Sequence, residues 1–341
     1  MSKKSSNFSS PLSVQNIILA ATAWGIIALL VFLLGSPIVP RPGWYSVVTY
    51  IIENVAMLGA AMLCFRNWNS SQIVSGRFVW LLLGLGMASY FIGNLLLGWW
   101  ELVWQLSPNV SPADLFYLMT YLFLGTGMLM AVVSRQLNLT STQWMIVAGI
   151  AIAAIILAYF VSYAGSEEEG QYPDPVAPIA EPVGNWQTGA IALSGTPQFF
   201  AQESPLPQES PVSGEADVES SSTSNAPGWV NALNNQLEPY ADIVALLYVV
   251  GDIFLVIMAT MLLLAFWGGR FSISWRFIAA AAFCFYIADT WFSYAIERFE
   301  NYATGALPEV FWVFSGVLFS IGAALEYSLS MRSRRGIRRR S

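Results

Sequence analysis

Hydrophobic residues in this chain fall in long unbroken runs and do not alternate with polar ones; IILAATAWGIIALLVFLLG, residues 17–35, is one such run. A bilayer hydrocarbon core about 30 Å thick takes about 20 apolar residues of helix to cross. Eight segments reach that length: 14–36, 45–65, 77–99, 112–134, 142–164, 242–267, 275–297 and 308–330. The pattern predicts an all-α integral membrane protein with eight transmembrane helices, spans 1 to 8 in chain order. Span 1 follows Lys3 and Lys4, as a secretory signal would. Its apolar run is longer than the roughly 7–15 residues of a signal core, and no small-residue cleavage motif follows, so it reads as a retained helix.

Between spans 5 and 6 the pattern stops. Residues 165–240, beginning SEEEGQYPDPVAPIAEPVG, are dominated by Pro, Ser, Gly and acids. Such a segment buries too little apolar surface to offset the entropy of ordering it. It is expected to be a long disordered acidic loop, a solvated spacer. The organisation that follows is a first four-helix half at 1–134, a fifth helix at 135–164 opening a second half, the loop at 165–240, three further helices at 241–330 and a basic tail at 331–341.

Charge adds sidedness. The net charge of -6 averages two opposite regions: 11 of the 21 acids lie in 165–240, where there is no Lys or Arg, and six arginines lie in the last ten residues. With both termini inside, the cytoplasmic segments hold 13 Lys and Arg and the outer loops only Arg41 and Arg298. That is a strong positive-inside signal. It implies a multi-pass protein of a bacterial plasma membrane with cytoplasmic termini and the 165–240 loop outside. The tail from Arg332 to Arg340 would engage anionic lipid, at about 1 kcal/mol per basic residue, or a cytoplasmic protein partner. Nucleic acid is not implied.

Composition narrows the chemistry. Hydrophobic residues make up 56% of the chain, charged residues 11%, and there is no histidine. That removes Ser-His-Asp and Cys-His nucleophiles, histidine-ligated haem and histidine zinc sites. Cys64 and Cys284 both fall in apolar stretches and form no metal cluster or disulfide framework. No enzyme activity, metal or cofactor is expected.

The two halves resemble each other. At an offset of 198, TYIIENVAML (49–58) lies over LYVVGDIFLV (247–256), pairing Tyr50 with Tyr248 and Asn54 with Asp252. At an offset of 195, Asn94 meets Asp289, Asp114 meets Glu309 and Gly127 meets Gly322. Spans 2, 3 and 4 thus recur in order as spans 6, 7 and 8. Spans 1 and 5 match only in length and hydropathy. Two tandem four-helix repeats would point the same way through the bilayer, as parallel repeats do in transporters.

Polar residues inside spans are expensive and functional by default. The set is Glu53, Asn54, Asn94, Asp252 and Asp289, with Tyr50, Tyr90, Tyr248 and Tyr286 each about one turn before a polar partner. Spacings of three and four residues share a helix face, which predicts a Tyr–polar hydrogen bond written four times. At 1.5 Å per residue, Asn94 lies about 25 Å and Asp289 about 20 Å from the inner ends of their helices, and Glu53 and Asp252 about 12–15 Å from the outer ends of theirs. The groups would converge on a ligand pocket opening outward. The competing reading is interhelical glue, worth about 0.6–2 kcal/mol per contact. Asp252 and Asp289 are the strongest ligand candidates; no Lys or Arg lies near them in a span, which leaves a proton, a cation or a polar ligand.

Other positions read as architecture. Gly84, Gly86, Gly93 and Gly98, with Gly316, Ser320, Gly322 and Ala323, suit close helix packing. Glu326 is placed to snorkel toward Arg332 or Arg334. Trp99, Trp100 and Trp104 suit an interfacial belt, and Ser111-Pro112-Ala113-Asp114 suits a helix start.

SPADLFYLMTYLFL, LYVVGDIFLVIMATMLLL and AFCFYIADTWFSY resemble the multi-span membrane domains that precede diguanylate cyclase and related signalling modules in bacteria. The resemblance implies a sensing or partner-regulating membrane module. Members of that class continue into a cytoplasmic catalytic domain, whereas this sequence runs about ten residues past span 8, and its acidic insert is a second departure. The expected function is a non-enzymatic sensor or accessory module working through a cytoplasmic partner; the alternative is a carrier of a small solute or cation that uses intramembrane carboxylates.

Overall fold

The computed structural model describes residues 13–38, 41–106, 108–134, 139–163, 226–266, 272–299, 302 and 304–338. Its regular elements are helices: α1 Val14–Gly35, α2 Gly43–Asn69, α3 Arg77–Val103, α4 Pro112–Val133, α5 Ser141–Tyr163, α6 Gly228–Leu237, α7 Ala241–Ala265, α8 Ser272–Arg298 and α9 Val310–Arg338, with single 3₁₀ turns at Glu238–Tyr240 and Leu307–Glu309. Among the described residues, eight helical segments are long and apolar enough to cross a membrane, with α6 and α7 running together as one. The chain is thus built as a multi-pass membrane protein.

Local signals set the helix boundaries. Ser111 caps α4 with Pro112 in its first turn, and the Asp114 carboxylate accepts the Ser111 backbone N–H at 2.7 Å. Short links between long helices force consecutive helices to run antiparallel, so the bundle has two ends. At the hairpin end the α1–α2 turn meets the α8–α9 link: Tyr45 Oη donates to Gly305 O at 2.8 Å, and Leu307 N donates to Ser36 Oγ at 3.0 Å. At the terminal end α2 and its following turn meet α9: Asn67 Nδ2 donates to Ala323 O at 2.9 Å and Val74 N to Ser330 Oγ at 3.4 Å.

Six helices form a closed ring in the order α4, α3, α2, α9, α8, α7 and back to α4, with α1 outside α2 and α9 and α5 outside α7 and α8. A ring is the arrangement that lets every inward side chain find a neighbour, which lipid would not supply. Its core is lined by Met57, Leu83, Met87, Leu124, Met128, Leu255 and Phe285, each almost fully buried. Small residues let the helices approach. A Cβ on Gly86 would lie 2.8 Å from Leu124, one on Gly322 2.7 Å from Ile278, and one on Gly316 2.8 Å from the Ala56 backbone. α1 docks by Ala28 and Phe32, and Trp24 Nε1 donates to Ile52 O at 3.0 Å.

Two expectations are corrected. The disordered loop does not extend to 240: residues 228–240 are helical, because Trp229 packs on Trp100 and Trp104 with ring centroids 6.4 and 5.6 Å apart, and Trp100 Nε1 donates to Asn234 Oδ1 at 3.2 Å. The remainder, 165–225, lies outside the described residues, as does the C-terminal part of the tail. The span expected at 308–330 matches the membrane-length stretch Leu307–Met331, and helix α9 runs on past it to Arg338. Glu326 does not snorkel; it is fully buried and accepts the Ser274 hydroxyl at 2.8 Å, which holds α8 against α9.

Gly316→Ala should force α9 away from α2, costing about 1–3 kcal/mol as other overpacked cores do, whereas Gly149→Ala, with nothing within 4 Å of the new methyl, should leave stability unchanged or raised. Thermal unfolding of the two purified variants in detergent checks this, and equal melting temperatures would contradict the close approach.

Candidate functional site

The ring interior nearer the hairpin end collects the acids. Glu53 and Asn54 come from α2, Asn94 from α3, Asp252 from α7 and Asp289 from α8; Glu53, Asn54, Asn94 and Asp252 are buried and Asp289 is partly buried. Asp252 is eleven residues into α7 and Asp289 nine from the end of α8, about 16 and 14 Å along the axes. The cluster therefore lies near the middle of the long helices.

The bonding differs from the predicted pairs. In none of the four does the tyrosine hydroxyl bond its predicted partner, Asn54, Asn94, Asp252 or Asp289. Tyr50 Oη donates to Glu101 of α3 at 2.7 Å, and Tyr90 Oη makes a short hydrogen bond to Glu53 of α2. Tyr248 Oη donates to Asp114 at the start of α4 at 2.7 Å. Tyr286 stays outside the cross-helix hydrogen bonds, half-buried and bonded to Thr290 of its own helix with only an electrostatic approach to Asp252, while its neighbour Phe285 faces inward against Tyr90 at 5.3 Å and Tyr121 at 5.7 Å. The cause is the direction of helical side chains. Each Cα–Cβ bond leans toward the helix N-terminus, so Tyr50, Tyr90 and Tyr248 point away from the residue four positions later and their long rings reach the next helix. Short Asn54 does lean back, donating Nδ2 to Tyr50 O at 2.8 Å, so it takes no part in the cross-helix network.

Three residues that the spacing argument passed over complete the site, two from α4 and one from α9. Tyr117 Oη donates to Asn94 Oδ1 at 3.2 Å. Tyr121 Oη lies 2.8 Å from Asp252 Oδ1 and makes a shorter contact with Asp289 Oδ2. Trp312 Nε1 donates to the other Asp289 oxygen, Oδ1, at 2.5 Å. Their signal was present: Asp114, Tyr117 and Tyr121 stand at i, i+3 and i+7, one stripe of an α-helix. The composition of this turn explained Asp114 as a cap and hid its second role as the acceptor of Tyr248.

Aromatic rings wall the cluster and join its parts. Tyr90 packs against Tyr117 at 5.2 Å and Trp312 at 6.4 Å, and Tyr121 against Tyr248 at 5.8 Å. Asn94 Nδ2 makes no well-formed hydrogen bond but lies close enough to Glu53 to interact with its carboxylate. Asp289 is in turn within electrostatic reach of Glu53. Carboxylates from three helices thus face one another with hydroxyl, amide and indole donors between them. No group of three or more Asp, Glu, Cys or His among the described residues has the geometry to hold a metal ion.

The hairpin end carries a separate acid. Glu309 accepts the backbone N–H of Gly305 at 2.7 Å and of Ala306 at 3.2 Å, and receives a short hydrogen bond from Tyr302. Arg41 Nη1 donates to Thr304 O at 3.1 Å across the same link. Burial, reinforced by the Glu309 carboxylate, raises the Tyr302 hydroxyl above its ordinary value, so it remains a neutral donor. This is a latch for the start of α9, as Asp114 is for α4. A cleft of about 270 Å³ lies elsewhere, at the terminal end beside Trp275, Phe266 and Ser134.

No protein-family model, curated protein or solved structure matches this chain.

Tyr121→Phe removes the one hydroxyl shared by two carboxyls and should cost about 1–3 kcal/mol, as unsatisfied buried polar groups do. Tyr286→Phe should change stability by less than about 0.5 kcal/mol, as peripheral substitutions do. Melting temperatures of both variants in one detergent test the assignment; an equal loss in the two would place Tyr286 in the network after all.

Proposed function

We propose that the chain is a non-enzymatic sensor or accessory module of a bacterial plasma membrane that acts through a cytoplasmic protein partner. Both termini lie in the cytoplasm in this reading, and residues 165–240 lie outside. The observation that carries it is that the acids are bonded across the meeting line of the chain's two halves. Tyr121 of α4 bonds Asp252 of α7 and Asp289 of α8, and Tyr248 of α7 bonds Asp114 of α4. A signal that shifts one half against the other must break or remake these bonds, so the network is a two-state element of the kind a sensor requires.

The halves are repeats in this reading. Supporting it, the ring order is unchanged when α2, α3 and α4 are exchanged with α7, α8 and α9, since α2 packs on α9 and α4 on α7. The donor to Asn94 is Tyr117 and the donor to Asp289 is Trp312, both pairs at the offset of 195. Asp114 and Glu309, also at 195, each accept backbone N–H groups at the start of their helices. The likeness to membrane domains upstream of diguanylate cyclases points to the same class of function, and six arginines at the C-terminus offer a basic face for a partner or anionic lipid.

A carrier of a small solute or cation is the second reading. It is favoured by the position of Asp252 and Asp289 between the halves, where transporters with repeats bind their substrates. Two experiments separate the readings. Affinity purification from the native membrane should bring a partner with a cytoplasmic output domain, while proteoliposomes should show no uptake that Asp289→Asn abolishes; uptake with that dependence, and no partner, would select the carrier. Protease added to intact spheroplasts should cut within 165–240, and protection of that segment would reverse the orientation.

A further inference from the structure

A phenol carries one hydrogen to donate and an oxygen that accepts, and an ionised carboxylate only accepts. Tyr121 Oη nevertheless contacts two carboxyls, at 2.8 Å from Asp252 Oδ1 and closer to Asp289 Oδ2. Its single hydrogen serves one of them. The other contact is a hydrogen bond only if that carboxyl is itself protonated and donates to the tyrosine oxygen. Asp289 is the better-supplied anion, because the Trp312 indole N–H reaches its second oxygen at 2.5 Å. Asp252 has the tyrosine and the opposing Asp289 as its polar neighbours.

We propose that Asp252, Tyr121 and Asp289 form a proton-binding site that holds one proton between two carboxyl groups. The proton rests on Asp252, which donates to Tyr121; Tyr121 donates to Asp289, which keeps the charge. The site spans α7, α4 and α8, so the one proton joins three helices. Moving the proton from Asp252 to Asp289 requires only that both hydrogens shift along the line and the carboxyls exchange roles. No atom heavier than hydrogen travels.

The surroundings favour a proton over a metal cation. Groups facing the pair are acids and phenols: Glu53 from α2, Tyr90 from α3, Tyr117 from α4, Tyr248 from α7 and Tyr286 from α8; Asp114 and Glu309 stand one contact further out, beside Tyr248 and Glu53. Trp312 is the α9 donor. The sequences of α4 and α7 contain no Lys or Arg, and in α8 Arg276 and Arg298 stand at the two ends. Charge is therefore moderated by protons and neutral donors, the arrangement by which two neighbouring carboxyls share a site.

The test is infrared spectroscopy of the full chain in lipid nanodiscs at neutral pH. Wild-type protein should show the C=O stretch of a protonated carboxyl, and ¹³C labelling of aspartate carboxyls should shift it, which separates it from any glutamic acid band without a variant. Asp252→Asn, nearly isosteric with the protonated acid, should remove that band and keep the melting temperature within a few degrees, whereas Glu53→Gln should leave it. Tyr121→Phe should move the band to higher frequency, since the carboxyl loses its partner. A spectrum without a protonated aspartate band overturns the proposal. So does a melting temperature that climbs with added Na⁺ at constant ionic strength, because two ionised carboxylates would then be holding a cation.

Discussion

A polar side chain inside hydrocarbon must be satisfied by protein, because no water is there to do it. The acids at mid-depth of this bundle turn that constraint into an assembly rule. Glu53, Asn94, Asp252 and Asp289 each depend on a hydrogen-bond partner from another helix: Tyr90, Tyr117, Tyr121 and Trp312. Closing the ring α4–α3–α2–α9–α8–α7 is what brings those partners into reach. The ring and the cluster therefore require each other, and the glycines that let α2 approach α9 and α3 approach α4 serve both.

The network also explains why helices of modest sequence specificity assemble one way. Apolar packing in a membrane gives little preference between partners, since lipid tails are as apolar as leucine. A misplaced Asp252, by contrast, would lose its hydroxyl partner and stand unsatisfied at intermediate depth, at a cost larger than any single packing contact. Specificity of assembly and capacity for protonation thus rest on the same few atoms.

Helix number and placement were legible in the sequence because a 20-residue apolar run has one reading in a membrane. The polar residues of the site were legible for the same reason: Asp252 and Asp289 stand out against their spans. Their partners were not. Side-chain direction sends Tyr50 and Tyr90 to neighbouring helices, and which helices are neighbours is a property of the ring, not of spacing along one helix. Tyr286 has the hydroxyl and the spacing of a partner for Asp289, yet packing turns its neighbour Phe285 inward instead. Tyr121 was passed over because no acid lies next to it in α4 itself; its acids come from residues 131 and 168 positions away. The helix at 228–237 was hidden by the acidic, Pro-rich composition around it, and only the tryptophans at the α3–α4 turn give it a surface to fold on.

Helix α9 begins at the Glu309 latch and continues for 29 residues to Arg338, about 44 Å of unbroken rod. Its first turn is tied through Gly305 and Tyr45 to the α1–α2 turn and holds Asp289 through Trp312, and its far end carries arginines. An α-helix of that length neither compresses nor stretches under small loads, so a tilt imposed at the latch is returned at the arginine end as a lever stroke, with Ala56 against Gly316 as its fulcrum.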